Sequence, residues 1–170
     1  MCGLLERRAA AGGAAEAMAR SDDSAAAFDE FVELWDRFLD ERRDPTAIVV
    51  VEGERDRRAL RRLGWDGPVG LVHRGRPIAE TAQELIDEHA RVIVLTDWDR
   101  EGGTLARRLR EFLEGRRGGV DLDYRRRFAR LLRGELAHVE GLYGWVRRNA
   151  ERHRVPFEAI VGDAGGAPTG

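Results

Sequence analysis

The alternation of short apolar runs with helical segments is the sequence feature that most restricts the fold of this chain. Four runs rich in apolar and β-branched residues are predicted to be strands, at residues 47–51, 69–72, 92–95 and 120–122. Each run is followed by a segment with helical periodicity, at residues 54–63, 77–89, 101–113 and 124–132. Strands that alternate with helices in this way form a parallel sheet with right-handed crossovers. The sequence therefore predicts an α/β fold, an open, Rossmann-like parallel sheet of about four strands with helices on both faces.

Segments of a different character flank this α/β unit, which we place at residues 46–135. Residues 25–44 are predicted to form an amphipathic helix, whose apolar stripe is typical of a core element or of a docking face for a protein partner. The stripe comprises Phe28, Phe31, Val32, Trp35, Phe38 and Leu39. Residues 136–161 are predicted to be a C-terminal helical extension. The two ends are rich in Ala and Gly, so residues 1–24 are expected to be disordered and residues 162–170 to be flexible.

Composition and charge favour a protein of the cytoplasm. The 170 residues suit one domain of ordinary size, and no apolar run approaches the roughly 18 residues of a membrane helix. No secretory signal is recognised, and the single Cys2 can form neither an internal disulfide nor a zinc site. Residues 1–45 hold 11 acids and 6 arginines, a net −5, whereas residues 46–170 hold 20 acids and 23 arginines, a net +3. The α/β unit is therefore compatible with a polyanionic partner such as RNA or DNA.

Acidic side chains follow two of the predicted strands. Glu52 comes directly after the run 47–51, and Asp97 and Asp99 come shortly after the run 92–95. The carboxyl ends of parallel strands meet at one edge of a sheet, where loops from separate strands form sites. Two aspartates spaced by one residue in an extended segment point to the same side and can share a cation. Converging carboxylates repel one another, and these hard oxygen ligands suit Mg²⁺, with Mn²⁺ as a substitute.

Each acid also has a simpler interpretation. Asp99 taken alone is most often a helix cap, and Glu52 taken alone is usually solvated or paired with an arginine. Taken together, with a strand before each motif and a helix after it, the three acids indicate a metal site. Gly53, Gly102 and Gly103 leave room beside the acids for a phosphate to approach the following helices.

Two short motifs built on these acids resemble the signature motifs of the Toprim superfamily. They read Val50-Val51-Glu52-Gly53 and Thr96-Asp97-Trp98-Asp99-Arg100-Glu101-Gly102, and the resemblance covers about residues 46–135. The superfamily includes type IA topoisomerases, bacterial primases, ribonucleases that mature 5S ribosomal RNA, and certain nucleases. The short chain is similar to small stand-alone archaeal Toprim proteins of uncharacterised function.

The resemblance implies a Toprim fold, chemistry on nucleic-acid phosphodiesters, and roles for three residues. Glu52 is implied as a metal ligand and general acid or base, and Asp97 and Asp99 are implied as Mg²⁺ ligands. The chain lacks room for the domain that carries a topoisomerase's nucleophilic tyrosine, and its lone cysteine leaves no primase zinc module. Topoisomerase and primase activities are therefore not expected of this chain alone.

Several arginines are candidates for contact with a nucleic-acid backbone. Arg74 follows the second predicted strand, and Arg100 lies within the second motif. Arg126 and Arg130 lie on the predicted helix 124–132. An arginine-rich helix face is usually only solvated, and nucleic-acid contact is favoured here because the chain also carries the acidic motifs.

The histidines give no sign of a zinc site. His73, His89, His138 and His153 are scattered, without an acid or cysteine at ligand spacing, and we interpret them as structural or surface groups. His73 is the exception, since it ends the second predicted strand at the same rim as the acids.

Three classes of function remain open on this evidence. The leading hypothesis is a Mg²⁺-dependent nuclease or phosphotransferase that acts on RNA or DNA, in RNA processing or DNA repair. The alternative is a non-catalytic module that binds metal and holds nucleic acid or a protein partner. A haloacid-dehalogenase-like phosphatase or phosphorylated switch is disfavoured, because those folds place their key aspartate after the first strand, where this chain has Glu52.

Overall fold

A computed structural model describes residues 24–72, 75–114 and 119–162 of the chain. The tail expected to be disordered lies outside the described residues up to position 23, and residue 24 is already helical. Nearly all of the C-terminal tail expected to be flexible also lies outside these ranges.

Four parallel strands form one sheet in the order β2-β1-β3-β4. The strands are β1 (Ala47–Val51), β2 (Val69–Leu71), β3 (Arg91–Val94) and β4 (Gly119–Asp121). Their bounds agree with the predicted runs to within one residue. All three pairings are parallel, which confirms the predicted α/β fold with an open parallel sheet.

Helices cover both faces of this sheet. The described helices are α1 (24–40), α2 (Glu54–Arg62), α3 (Ile78–Glu88), α4 (Arg100–Leu113), α5 (Asp123–Leu131), α6 (Leu142–His153) and α7 (Phe157–Val161). Short 3-10 helices lie at Glu41–Arg43 and Val139–Gly141. α2 is followed by Gly64, whose φ of +93° is the left-handed conformation that often closes a helix. A Cβ there would lie 2.0 Å from the carbonyl oxygen of Val161, so only glycine fits.

The central strands alternate their side chains between two apolar cores. Val49 and Val51 of β1 pack into one core, and Ile48 and Val50 pack into the other. Since successive strand residues point to opposite faces, a continuous apolar run is what a strand buried on both faces requires. α3 and α4 cover the smaller core, and the other helices build the larger one.

The apolar stripe of α1 is part of the larger core. Phe31, Trp35 and Phe38 are fully buried, and Trp35 Nε1 donates a hydrogen bond to the carbonyl of Leu63. Phe31 and Phe38 both contact the ring of Phe128 on α5. The structure therefore supports the interpretation of the stripe as a core element over its interpretation as a docking face. The aromatic face of α1 is covered by this chain itself, so the expected protein partner cannot dock there without opening the core.

The C-terminal extension packs into the same core. Leu142, Trp145 and Val146 of α6 are buried there, and Ile160 of α7 joins them. The extension thereby fixes the loop before α6 over the sheet edge at which the acidic motifs lie. No helix in the described ranges is long and apolar enough to cross a membrane.

Candidate metal centre at the carboxyl edge of the sheet

The carboxyl ends of β1 and β3 bring the two acidic motifs together. These strands are hydrogen-bonded neighbours, with Val50 opposite Val94. Glu52 directly follows β1, and Asp97 follows β3 after a short extended segment. A carboxylate oxygen of Glu52 accepts a hydrogen bond from the backbone N–H of Asp97, at 3.0 Å. The carboxylate of the first motif is therefore fixed against the backbone of the second.

The carboxylate of Asp97 is held by a segment that lies outside both motifs. Its Oδ1 accepts a hydrogen bond from the backbone N–H of Val139, at 2.8 Å. Its Oδ2 lies 2.8 Å from Nδ1 of His138. Because a carboxylate can only accept, Nδ1 of His138 carries the proton in this contact. Asp97 is thus a well-fixed group with a side chain only 16% exposed.

Asp99 caps α4 and also faces the site. Its Oδ1 accepts a hydrogen bond from the N–H of Gly102, at 2.7 Å, in the usual geometry of a helix cap. Its Oδ2 lies 3.7 Å from Nδ1 of His138. The helix-cap interpretation of Asp99 therefore holds, and the second oxygen still lies near the side chain of His138.

Asp97, Asp99 and His138 form a group that could hold a metal ion. One ligand atom from each lies within 4.8 Å of the other two. The hydrogen bond to Asp97 is the main cause that raises the pKa of His138, and the negative charges of Asp97, Asp99 and Glu140 add to it. Two carboxylates and an imidazole are a donor set that suits a divalent cation. Glu52 is not one of these three residues, and its carboxylate accepts a hydrogen bond from the backbone N–H of Asp97.

His138 is the residue at this site that the sequence interpretation missed. It lies 41 positions from Asp97, beyond α5, and no spacing in the sequence links it to either motif. Only the return of the chain after α5 brings it to the sheet edge. The backbone N–H of Trp98 donates to the carbonyl of Ala137 at 2.8 Å, which pins this return against the second motif.

Two side chains, those of Arg125 and Thr96, hold the backbone of the second motif in place. Arg125 of α5 donates to the hydroxyl of Thr96 at 3.0 Å and to the carbonyl of Asp97 at 2.5 Å. The hydroxyl of Thr96 donates in turn to the carbonyl of Gly102, at 2.8 Å. Burial lowers the pKa of Arg125, and the nearby carboxylates of Glu52, Asp99 and Asp97 oppose this effect. The partly buried Arg125 therefore supports the site by holding the backbone of the second motif.

Asp56 adds a fourth carboxyl group beside the site. It is 6% exposed and accepts a hydrogen bond from the N–H of Gly53, at 2.9 Å. Burial raises its pKa to about 6, the hydrogen bond from Gly53 opposes this rise, and the negative charges of Asp97, Glu52 and Glu140 add to it. Asp56 follows the first motif in sequence, but nothing in the sequence marked it as buried.

Two hollows adjoin at Glu52. One is acidic and leads to the metal group, since Asp56, Asp97, His138 and Glu140 line it. The other runs along α4 and is lined by Glu52, Arg100, Glu101, Thr104, Leu105 and Arg108. Arg100, one of the predicted nucleic-acid contacts, thus lies in a hollow that opens on Glu52.

The other predicted nucleic-acid contacts are not gathered at this edge. Arg126 lines a hollow beside Arg91, the first residue of β3, whereas the acids follow the last residue of that strand. Arg130 forms an ion pair with Glu30 of α1. Arg74 lies outside the described residues, as does His73.

The comparisons with known proteins agree with this architecture. The fold and the site place the chain among α/β proteins that carry acidic motifs after two neighbouring strands of a parallel sheet. A family model described as the Toprim domain matches residues 47–131, which includes both motifs. The chain belongs to the Toprim family. A Toprim domain implies a metal-binding function related to nucleic acids.

Similar proteins carry the family name UPF0292 and come from archaea. A UPF0292 protein of Pyrococcus horikoshii is 34% identical over 133 residues, which cover 76% of this chain and 99% of that protein. One from Thermococcus sibiricus is 35% identical over 113 residues, covering 66% of this chain and 88% of the relative. One from Methanosarcina acetivorans is 32% identical over 120 residues, covering 71% and 83%. These matches confirm the resemblance to small archaeal Toprim proteins.

A solved structure shares the fold. A protein from Aquifex aeolicus superposes with a TM-score of 0.54 at 24% sequence identity, covering 64% of this chain and 94% of that one. At this identity the likeness supports the architecture alone.

Proposed function

We propose that the protein is a Mg²⁺- or Mn²⁺-dependent nuclease that cleaves nucleic-acid phosphodiesters in RNA processing or DNA repair. The hydrogen bond between Glu52 and the backbone of Asp97 is the observation that carries this proposal. It places a carboxylate that can move a proton directly beside the acids that can hold a cation. A metal-assisted attack on a phosphodiester needs both groups within reach of one phosphate.

The residues of the site divide these tasks. Asp97 and Asp99 would hold the divalent ion, which when bound supplies a Lewis acid to the phosphate and acidifies a water molecule. Glu52 takes a proton from the attacking water or returns one to the leaving oxygen. Arg125 holds the backbone of Asp97 in place through the hydrogen bond that it donates to the Asp97 carbonyl oxygen, at 2.5 Å.

The hollow along α4 gives the nucleic-acid strand a path to Glu52. Arg100, Thr104 and Arg108 are spaced by four residues and line the same hollow. On a helix this spacing extends over about 12 Å, roughly the length of three stacked nucleotides. Arg100 and Arg108 are exposed, so their guanidinium groups can reach phosphate oxygens from solvent. We propose these two arginines as phosphate contacts ahead of Arg126 and Arg130.

Cleavage assays with a Glu52→Gln variant test the proposal. Wild-type protein with Mg²⁺ or Mn²⁺ is incubated with a pool of structured RNA and a pool of DNA, beside a chelator control. Glu52→Gln keeps an oxygen for the Asp97 N–H but cannot move a proton, so cleavage should fall by about 10² to 10⁴-fold. Glu111→Gln is the matched control, because Glu111 is an exposed carboxylate on α4 that lies outside both motifs and lines neither hollow.

Three outcomes are informative in this assay. Loss of cleavage in Glu52→Gln with retention in Glu111→Gln supports the nuclease. Cleavage that persists in Glu52→Gln indicates a contaminating enzyme. No cleavage of either pool by the wild type with either metal overturns the nuclease and leaves the non-catalytic binding module.

A further inference from the structure

The segment that carries His138 lies outside the matched Toprim region, residues 47–131, yet it contacts the second motif through three consecutive residues. The carbonyl of Ala137 accepts a hydrogen bond from the backbone N–H of Trp98. Nδ1 of His138 contacts Oδ2 of Asp97, and the backbone N–H of Val139 donates to Oδ1 of the same carboxylate. Each of these distances is 2.8 Å. The segment is therefore fitted to the aspartate motif.

Packing in the core explains the position of this segment but does not explain why its exposed side chain is a histidine that contacts Asp97. Val139 is fully buried in the larger core, where it anchors the short 3-10 helix Val139–Gly141. The side chain of His138 is 53% exposed, so it contributes little to that core. The contacts that its imidazole makes are with carboxylates, Asp97 at 2.8 Å and Asp99 at 3.7 Å. This imidazole is placed by a rigid backbone directly at the oxygens that can bind a cation.

We propose that His138 is the third protein ligand of the metal centre, beside Asp97 and Asp99, and that the ion takes the place of the proton that Nδ1 of His138 shares with Asp97, which is released to solvent. This inference rests on the metal site of the proposed function and specifies its ligands and its preferred ion. An imidazole nitrogen is a good donor to Mn²⁺, Co²⁺ and similar transition ions, whereas Mg²⁺ prefers oxygen donors and water. The centre should therefore select a first-row transition ion of the Mn²⁺ type over Mg²⁺.

The same assignment separates the role of Glu52 from metal binding. The ligand atoms of Asp97, Asp99 and His138 already lie within 4.8 Å of one another without Glu52. The carboxylate of Glu52 accepts a hydrogen bond from the backbone N–H of Asp97, and Glu52 lines both hollows. Three protein ligands would then hold the ion, and Glu52 would act in proton transfer.

Pulsed electron paramagnetic resonance of bound Mn²⁺ tests this ligand set directly. A coordinated imidazole gives nitrogen modulation of the Mn²⁺ echo, which carboxylates and water do not give. We expect this modulation in the wild type and its loss in His138→Ala. Titrations of Mn²⁺ and Mg²⁺ should show the preference for Mn²⁺ falling by about tenfold in the variant. Glu140→Gln is the matched control, because Glu140 is an exposed neighbour in the same hollow and is not one of the three ligands.

The inference is overturned if the wild-type complex shows no nitrogen modulation, or if the modulation and metal preference are the same in His138→Ala. A melting curve of each variant checks the fold, and His138→Gln gives the same reading if His138→Ala does not fold. Nitrogen modulation in a protein that cleaves nothing would remove the nuclease and keep this ligand set. Cleavage that depends on Glu52, without nitrogen modulation, would keep the nuclease and remove this ligand set.

Discussion

Gly102 lies where the first turn of α4 passes closest to the Asp97 backbone. A Cβ at position 102 would lie 2.2 Å from the carbonyl oxygen of Asp97 and 2.8 Å from its carbonyl carbon. Both are backbone atoms, and the same carbonyl accepts the partly buried hydrogen bond from Arg125. The close approach of two backbone segments, and not local flexibility, therefore requires glycine here.

Gly102→Ala should destabilise the protein by about 1–3 kcal/mol, because the added methyl group must push the two segments apart. Gly103→Ala is the matched control, since the nearest atom to its Cβ is the Arg125 side chain at 3.5 Å. Alanine is the better helix former by about 1 kcal/mol, so the control should be neutral or stabilising. Urea unfolding curves of the two variants measure the difference. Equal stability of both variants would contradict the close packing.

Asp56 gives the stability of the protein a defined pH dependence. Its pKa is raised from 3.8 to about 6, mainly by burial, so the folded chain keeps a proton that the unfolded chain releases. Between these two values the folded state binds more protons, and the free energy of unfolding therefore falls as pH rises. Above a pH of about 6, the stability that the folded chain gains from binding this proton is fully lost.

Asp56→Asn should remove this fall of the free energy of unfolding with pH, because an amide stays neutral and its oxygen can still accept a hydrogen bond from Gly53. The variant should be more stable than the wild type above about pH 6, by at most about 3 kcal/mol, with the difference shrinking toward about pH 4. Denaturant unfolding of both proteins in chelator, across this pH range, measures the effect. A constant difference at every pH would exclude Asp56 as its source.

At the scale of whole elements, two helices carry the arginines proposed to contact nucleic acid. α4 has Arg100 and Arg108 in the hollow that opens on Glu52. α5 carries Arg126 and Arg130, the residues favoured by the sequence, yet Arg130 is paired with Glu30 and Arg126 lies beside β3's first residue. Proximity to the acids favours α4, because both the phosphate contacts and the scissile phosphate must be reached by one strand.

Paired substitutions of arginine by glutamine show which of the two helices contributes more to nucleic-acid binding. Arg100→Gln with Arg108→Gln should weaken binding of single-stranded RNA or DNA and lower the salt slope of log K by about 2. Arg126→Gln with Arg130→Gln removes the same charge and is the matched control, with a smaller expected change. Fluorescence anisotropy at several salt concentrations measures both. A larger loss from the α5 pair would return the binding surface to the helix that the sequence favoured.

At the scale of the whole molecule, the metal group connects parts of the chain that are distant in sequence. Asp97 and Asp99 follow β3 in the sheet, and His138 comes from the segment before α6. An ion bound to all three would hold the C-terminal extension against the α/β unit. Binding should therefore stabilise the complete fold, since the unfolded chain does not bring these groups together.

Mn²⁺ should raise the thermal midpoint of the wild type, by an amount that corresponds to about 2.7 kcal/mol at a hundred times the dissociation constant. Asp97→Asn should lose most of this rise, because the amide is a much weaker ligand for a divalent cation. Differential scanning calorimetry of both proteins, with metal and with chelator, gives the comparison. An unchanged wild-type midpoint in saturating metal would count against any site at this edge.

The sequence alone determined the parallel sheet and the edge at which the acids meet. The run at residues 47–51 is apolar at every position, as a strand buried on both faces requires, and helical periodicity follows it. Once neighbouring strands are parallel, residues that directly follow them must meet, so Glu52 and Asp97 could be paired in advance. These features follow from local periodicity and strand direction, which a single sequence displays.

Only the tertiary structure decided which other groups complete the site. His138 contacts Asp97 across 41 positions of the sequence, and the partly buried Arg125 contacts the same residue across 28. Tertiary packing also buried Asp56 and placed the apolar stripe of α1 in the core. Contacts of this kind depend on how helices pack on the sheet and where loops return, and residue types along the chain do not encode them locally.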